Sequence, residues 1–180
     1  MSDNGLEQIR LLLFDADGVL TTGQIVYSSG GEESKSFDVR DGFGIRMLKE
    51  AGLMTGIITG RHSEALERRA GELKIDFCRF GARDKKALLE GILEQSGCSR
   101  QQTAFIGDDL IDIGIMKSVG VGIAVADAHE AVRQHARIVT SRPGGRGAVR
   151  EVCERILKAG GLWEDILKSW VQSDFPDSGA

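Results

Sequence analysis

Short apolar runs alternate with amphipathic stretches along most of the 180-residue chain. The runs have strand length, and the stretches between them repeat their apolar positions at helical spacing. Residues 9–15 read as a first strand containing Leu11-Leu12-Leu13-Phe14. Residues 24–39 are polar and broken at Gly30-Gly31, the pattern of a β-hairpin. Residues 41–51 carry Phe43, Ile45, Met47 and Leu48 and stop at Gly52, which predicts a helix with a glycine C-cap. A strand follows at 53–59, then a charged helix at 63–73 with Ser63 as N-cap, a short strand at 75–80 and a helix at 84–96 before Gly97. The pattern continues with a strand at 103–107, a helix at 110–119 before Gly120, a strand at 121–126, a helix at 128–135, a short strand at 137–140 and a last helix at 147–159.

Strands alternating with helices imply βαβ units. Right-handed crossovers then put helices on both faces of a mostly parallel sheet, an α/β, Rossmann-like three-layer sandwich. No repeat or linker interrupts residues 9–159, so one domain is expected there, after a flexible segment at 1–8. Residues 160–180 read as a tail, disordered over its last ten residues, with Trp163, Ile166, Leu167 and Trp170 spaced for a short amphipathic helix.

Composition narrows the function. The formal charge is −4, from 23 basic and 27 acidic side chains, so no basic footprint points to nucleic acid. No apolar run approaches the ~18 residues needed to span a bilayer. Residues 1–10 lack the apolar stretch of a secretory signal. Cys78, Cys98 and Cys153 are odd in number and widely spaced, as expected of thiols in a reducing compartment rather than of a disulfide framework or zinc site. A cytoplasmic enzyme is the expectation.

The first strand ends on Asp15-Ala16-Asp17-Gly18. A parallel sheet gathers its ligands at the carboxyl ends of its strands. Asp and Gly there are also ordinary turn residues. Three further segments add weight: Thr59-Gly60 after the second strand of the sheet, Lys85 at the opening of a helix, and Gly107-Asp108-Asp109 followed by Asp112. Singly, these read as a turn, a solvated lysine (Lys86 is an equal candidate) and an N-cap. Together, at successive strand ends, they suit phosphate-ester hydrolysis. Asp15 is placed to attack phosphorus and Asp17 to move a proton. Asp15, Asp108 and the backbone carbonyl of Asp17 offer the oxygen ligands that Mg²⁺ prefers, with Asp109 acting through water or orienting a ligand. Thr59, Gly60 and Lys85 supply donors for the phosphoryl oxygens.

These motifs, in this order, resemble those of the haloacid dehalogenase superfamily of aspartate-nucleophile phosphatases. Three further segments, 37–45, 125–129 and 144–153, give a closer resemblance to the family of phosphatases acting on 3-deoxy-D-manno-octulosonate 8-phosphate (KDO 8-phosphate). The resemblance covers roughly residues 9–158. It implies an Mg²⁺-dependent hydrolase that makes KDO and phosphate through an aspartyl-phosphate, for the inner core of lipopolysaccharide. Asp15 would be the nucleophile and Asp17 the acid and base. Ala16 and Thr22 depart from the common pattern without touching the chemistry.

The gaps between Thr21 and Asp41 and between Thr59 and Lys85 are too short for a cap domain. The resemblance implies instead a homotetramer whose subunits cover one another's sites, with the 24–39 hairpin as the contact. The sugar acid's carboxylate calls for arginine. Arg61, Arg69 (toward a neighbouring subunit's site) and Arg146 are the candidates. Gly144–Gly147 reads as a mobile segment near the substrate, and His62, His129 and His135 as structural or surface residues. Two alternatives remain: a phosphatase for a nine-carbon sialic-type sugar acid, where glutamate is expected in place of Arg61, and a non-catalytic regulatory domain, which would lack the aspartates.

Overall fold

The computed structural model describes residues 5–172. Strand β1 (Leu11–Phe14) is buried at every position. Such a continuous apolar run is what a central strand covered on both faces requires. It pairs in parallel with β4 (Met54–Ile58) on one side and with β6 (Thr103–Gly107) on the other. Outward from these lie β5 (Phe77–Arg79) beyond β4, and β7 (Val121–Ala124) then β8 (Ile138–Val139) beyond β6. All six strands are parallel.

The chain first winds from β1 toward β5, then returns to the other side of β1 at β6. The winding therefore reverses between β1 and β6, and the crevice at their carboxyl ends is where such sheets bind ligands. Both aspartate motifs emerge there.

Helix α1 (Val39–Glu50) packs on α6 (Ala148–Ala159), which carries α7 (Trp163–Gln172) on its outer side. Helices α3 (Lys85–Ser96), α4 (Ile113–Met116) and α5 (Glu130–His135) form another packed group. Helix α2 (Glu64–Glu72) follows β4. The hairpin consists of β2 (Val26–Tyr27) and β3 (Glu33–Ser34), a separate two-stranded sheet. No second domain or cap stands over the strand ends among the described residues.

The boundaries differ from expectation at a few places, each for a local reason. The helix expected at 110–119 is a 3₁₀ turn at Leu110–Asp112 followed by the four residues of α4. Gly120 N–H donates to Arg100 and Thr103 carbonyls, which draws the chain out of the helix early. Ser63 does precede α2, but its hydroxyl makes no cap bond. Asp38, three residues before the expected start, caps α1 by accepting from Arg40 N–H at 2.8 Å. Within the stretch expected to be flexible, Leu6–Gln8 is instead a 3₁₀ turn that packs on α6 with Leu6 buried. The tail helix forms as α7, with Ile166 buried and Trp170 edge-on to Phe43 at 4.7 Å. Residues 173–180 lie outside the described residues.

The Gly144–Gly147 segment is held to its neighbours by backbone hydrogen bonds. Gly144 N–H donates to Asp127 Oδ1 at 2.8 Å, Gly145 N–H to Val19 carbonyl at 2.8 Å and Gly147 N–H to the buried Asp41 Oδ2 at 3.2 Å. Gly144 lies against the Gly18 carbonyl so closely that a Cβ would overlap it. Gly145, at φ 63°, lies equally close to the Thr21–Thr22 backbone. Gly144→Ala is therefore expected to destabilise the fold by about 1–3 kcal/mol, as overpacking does. Because the displaced backbone is the Gly18-Val19 peptide, one residue on from Asp17, activity should fall with it. Urea unfolding alongside phosphate release checks both.

Candidate active site

Asp15 is the first residue after β1, and its N–H still donates to the Ile106 carbonyl of β6. Sheet pairing thus fixes its backbone. The residue is 5% exposed. Its Oδ1 accepts from Ala16 N–H at 2.7 Å, and its Oδ2 lies 2.8 Å from Lys85 Nζ. Lys85 is the first residue of α3 and is 2% exposed beside Asp15, whereas Lys86 is exposed.

Lys85 bridges to a second carboxylate, Asp112, at 2.7 Å. The other oxygen of Asp112 accepts from Asp108 N–H at 3.0 Å and Asp109 N–H at 3.4 Å. Asp112 thus holds both Lys85 and the loop after β6. It is the site residue to which no role was assigned from sequence, although its place four residues after Asp108 was visible. A Cβ on Gly107 would collide with it, so that glycine makes room.

Asp108 stands opposite Asp15. Carboxylate oxygens of Asp15, Asp108 and Asp112 lie within 4.8 Å of one another. Asp108 Oδ1 is buried with no hydrogen-bond partner. Gly18, at φ 84°, passes so close to this carboxylate that a Cβ would overlap it. Asp109 is exposed, and its side chain accepts from Leu110 N–H at 2.7 Å, capping the 3₁₀ turn.

Three carboxylates against one ammonium leave excess negative charge in a buried place. Burial, reinforced by the Asp15 and Asp112 charges, pushes the Asp108 pKa up to about 8. Burial outweighs Lys85 at Asp15, whose pKa is raised to about 6. Burial opposes the charge of Lys85, yet Asp15 and Asp112 more than offset it and raise its pKa. An orphaned buried oxygen among hard oxygen donors is the arrangement a divalent cation such as Mg²⁺ fits.

A raised carboxylate pKa stabilises the fold only while the group is protonated. That contribution is complete below the ordinary value of 3.8 and is lost as pH rises through about 6 for Asp15 and about 8 for Asp108. In EDTA, the melting temperature should fall across this window. Added Mg²⁺ should raise it more at about pH 8 than at about pH 5, where protons compete for the same oxygens. Equal increments would contradict the assignment.

The remaining candidates divide. Thr59, directly after β4, is 1% exposed, and its hydroxyl accepts from Arg61 N–H at 3.4 Å. Gly60 is exposed beside it. Arg61 reaches the hairpin, 2.9 Å from Glu33 and 3.4 Å from the Tyr27 hydroxyl, with its Nε 3.7 Å from Asp17 Oδ2. Asp17 Oδ1 accepts from Lys35, a residue that sequence reading missed. Arg69 does not join this group within the chain. It lies on α2 against Gly42 of α1, paired with Glu72 at 3.2 Å, beside a cleft of about 790 Å³. Arg146 is exposed at the start of α6. The histidines do not join the cluster: His129 caps α5, and His62 and His135 are exposed.

Comparisons with known proteins identify the family. Residues 81–150, from just before Lys85 to beyond Asp112, match the haloacid dehalogenase-like hydrolases. The 3-deoxy-D-manno-octulosonate 8-phosphate phosphatase of Yersinia pestis is 48% identical over 151 residues, 84% of this chain and 81% of that protein. The phosphatase of the same name from Moraxella catarrhalis, crystallised with magnesium, phosphate and KDO, has a TM-score of 0.91 at 40% identity, over 93% of this chain and 97% of that one. The cobalt-bound enzyme of Haemophilus influenzae gives 0.89 at 39%, over 93% and 99%. Similarity of this extent places the chain in the 3-deoxy-D-manno-octulosonate 8-phosphate phosphatase family of haloacid dehalogenase-like hydrolases.

Proposed function

We propose that this chain hydrolyses KDO 8-phosphate to KDO and inorganic phosphate. The observation that carries the reading is the buried group of Asp15, Asp108 and Asp112 about Lys85 at the β1–β6 reversal. Asp15 forms a bond to phosphorus as the bond from phosphorus to the sugar oxygen breaks, and that oxygen takes the proton of Asp17. The Asp17 carboxylate then takes a proton from water, whose oxygen attacks phosphorus and breaks the aspartyl ester. Phosphate leaves, and Asp17 is again protonated.

Lys85 holds Asp15 and faces the incoming charge, and Thr59 and Gly60 offer donors to phosphoryl oxygens. Asp15, Asp108 and the Asp17 carbonyl would hold Mg²⁺, with Asp112 orienting Lys85 and the Asp108 loop. Bound there, the ion offsets the repulsion between the nucleophile and a dianionic phosphate. Arg61, nearest Asp17, is the best placed arginine for the sugar-acid carboxylate, and an arginine at that position favours the eight-carbon over the nine-carbon acid. Arg69 and Arg146 would serve only across a subunit boundary or after movement.

The hairpin supports a homotetramer. It leaves Ile25, Val26 and Tyr27 exposed at 42, 55 and 60%, beside a site with no cap of its own. A cytoplasmic place in lipopolysaccharide synthesis completes the reading. The test is phosphate release from a panel of sugar-acid phosphates with Mg²⁺ and with EDTA. Preference for KDO 8-phosphate, lost in EDTA, is expected. Equal rates across the panel would remove the substrate assignment, and no release from any ester would remove the enzyme.

A further inference from the structure

The Asp17 carboxylate receives its hydrogen bond from outside the strand-end loops, from Lys35, the residue after β3. The Lys35 side chain is completely shielded from solvent. Its Nζ also lies 3.3 Å from Glu33 Oε1. Glu33 and Lys35 are two residues apart in extended chain, so their side chains leave the same face. Glu33 in turn meets Arg61 at 2.9 Å, and Arg61 returns to Asp17 at 3.7 Å. Asp17, Lys35, Glu33 and Arg61 thus close a ring of alternating charge, two members from the hairpin and one from each strand-end loop.

A lysine that only stapled the hairpin would be satisfied by Glu33. This one is aimed instead at Asp17, whose side chain keeps about a fifth of its surface open, at 21%. One carboxylate oxygen is fixed by a buried donor, and the other faces Arg61 across a longer gap. The held edge sets where the second oxygen points. Proton transfer needs hydrogen-bond reach to the leaving oxygen, so the direction of that edge matters to the rate.

We infer that Lys35 is a positioning residue for the proton-transfer step, holding the Asp17 carboxylate toward the leaving sugar oxygen. The inference rests on Asp17 being the acid and base. It requires no contact between Lys35 and the substrate. It also gives the hairpin a part in the chemistry of its own subunit, apart from any contact with a neighbour.

The test exploits the leaving group. The sugar oxygen of KDO 8-phosphate needs a proton as it departs, and the oxygen of p-nitrophenyl phosphate does not. The reading is the first-turnover rate of alcohol or nitrophenolate release by the full chain with Mg²⁺, before hydrolysis of the aspartyl-phosphate limits turnover. Lys35→Met keeps the aliphatic stem, removes the charge and leaves Glu33 paired with Arg61. It is expected to slow KDO release ~10–100-fold, the scale of a misplaced catalytic group, while nitrophenolate release changes less than about threefold. Lys35→Arg should restore part of the loss. Equal slowing of both esters would make Lys35 merely structural and overturn the inference. A higher KM for KDO 8-phosphate with an unchanged saturating rate would assign it to the substrate and overturn it too. Asp17→Asn is measured in parallel. If that variant slows both releases alike, the acid–base reading itself fails and the inference falls with it. If Asp17→Asn shows the contrast and Lys35→Met does not, only the inference fails. Lys35→Gln serves for the same comparison should the Met variant not fold.

Discussion

Asp15→Asn is expected to lower phosphate release by ~10⁴-fold or more, the scale seen when a covalent nucleophile is removed. The amide is isosteric and can still accept from Ala16 N–H, so the loop after β1 keeps its course. What disappears is the oxygen that bonds phosphorus. Stability should move the other way. Asp15 is raised to about 6, so its charge at higher pH works against the fold in the absence of metal. In EDTA at about pH 8, above that value, Asp15→Asn should melt no lower than wild type. Phosphate release and thermal unfolding on one preparation check both halves. Activity within tenfold of wild type would remove Asp15 from its role.

Lys85→Met should show the converse pattern. Its ammonium stands 2.8 Å from Asp15 and 2.7 Å from Asp112 and is almost wholly buried. Removing one partner from a buried charge pair costs about 3–5 kcal/mol, because the charge left behind has no compensation. Here two carboxylates are left, beside a third in Asp108. The metal-free variant should therefore lose stability on that scale. Mg²⁺ should recover a larger share in the variant than in wild type, since a cation among the carboxylates then replaces the missing charge. Urea unfolding with EDTA and with Mg²⁺ measures this. A metal-free loss below about 1 kcal/mol would mean that the carboxylates are relieved by water or by protons instead.

The order of elements was readable because β1, β4, β6 and β7 are compact apolar runs that give way to Asp15, Thr59-Gly60, Gly107-Asp108 and, three residues on, Asp127. Asp15, Thr59, Lys85 and Asp108 were readable because parallel strands carry their exits to one edge, whatever their separation in sequence. Ring partners of Asp17 were not. Lys35 sits in a polar hairpin where lysine is the ordinary exposed residue, and only the fold turns that face inward. Asp112 was visible as a spacing, but its use of both oxygens depends on the short 3₁₀ turn that replaces the expected helix. Arg69 was legible only as a helix position: within its own chain α2 turns it toward α1, and a role at a neighbouring subunit's site depends on how subunits meet.

The placement of β1 also bears on how the chain reaches this fold. Leu11 pairs with Met54 and with Thr103, so the first strand made is also the one enclosed on both sides by later segments. Until β6 is synthesised, the Leu11–Phe14 run has one unpaired edge, and such edges favour association between chains. Non-local parallel pairing of this kind is slow to form. Refolding should therefore be limited by the arrival of the second half of the sheet on β1. A chain truncated before Thr103 should aggregate rather than stand as a half-folded unit.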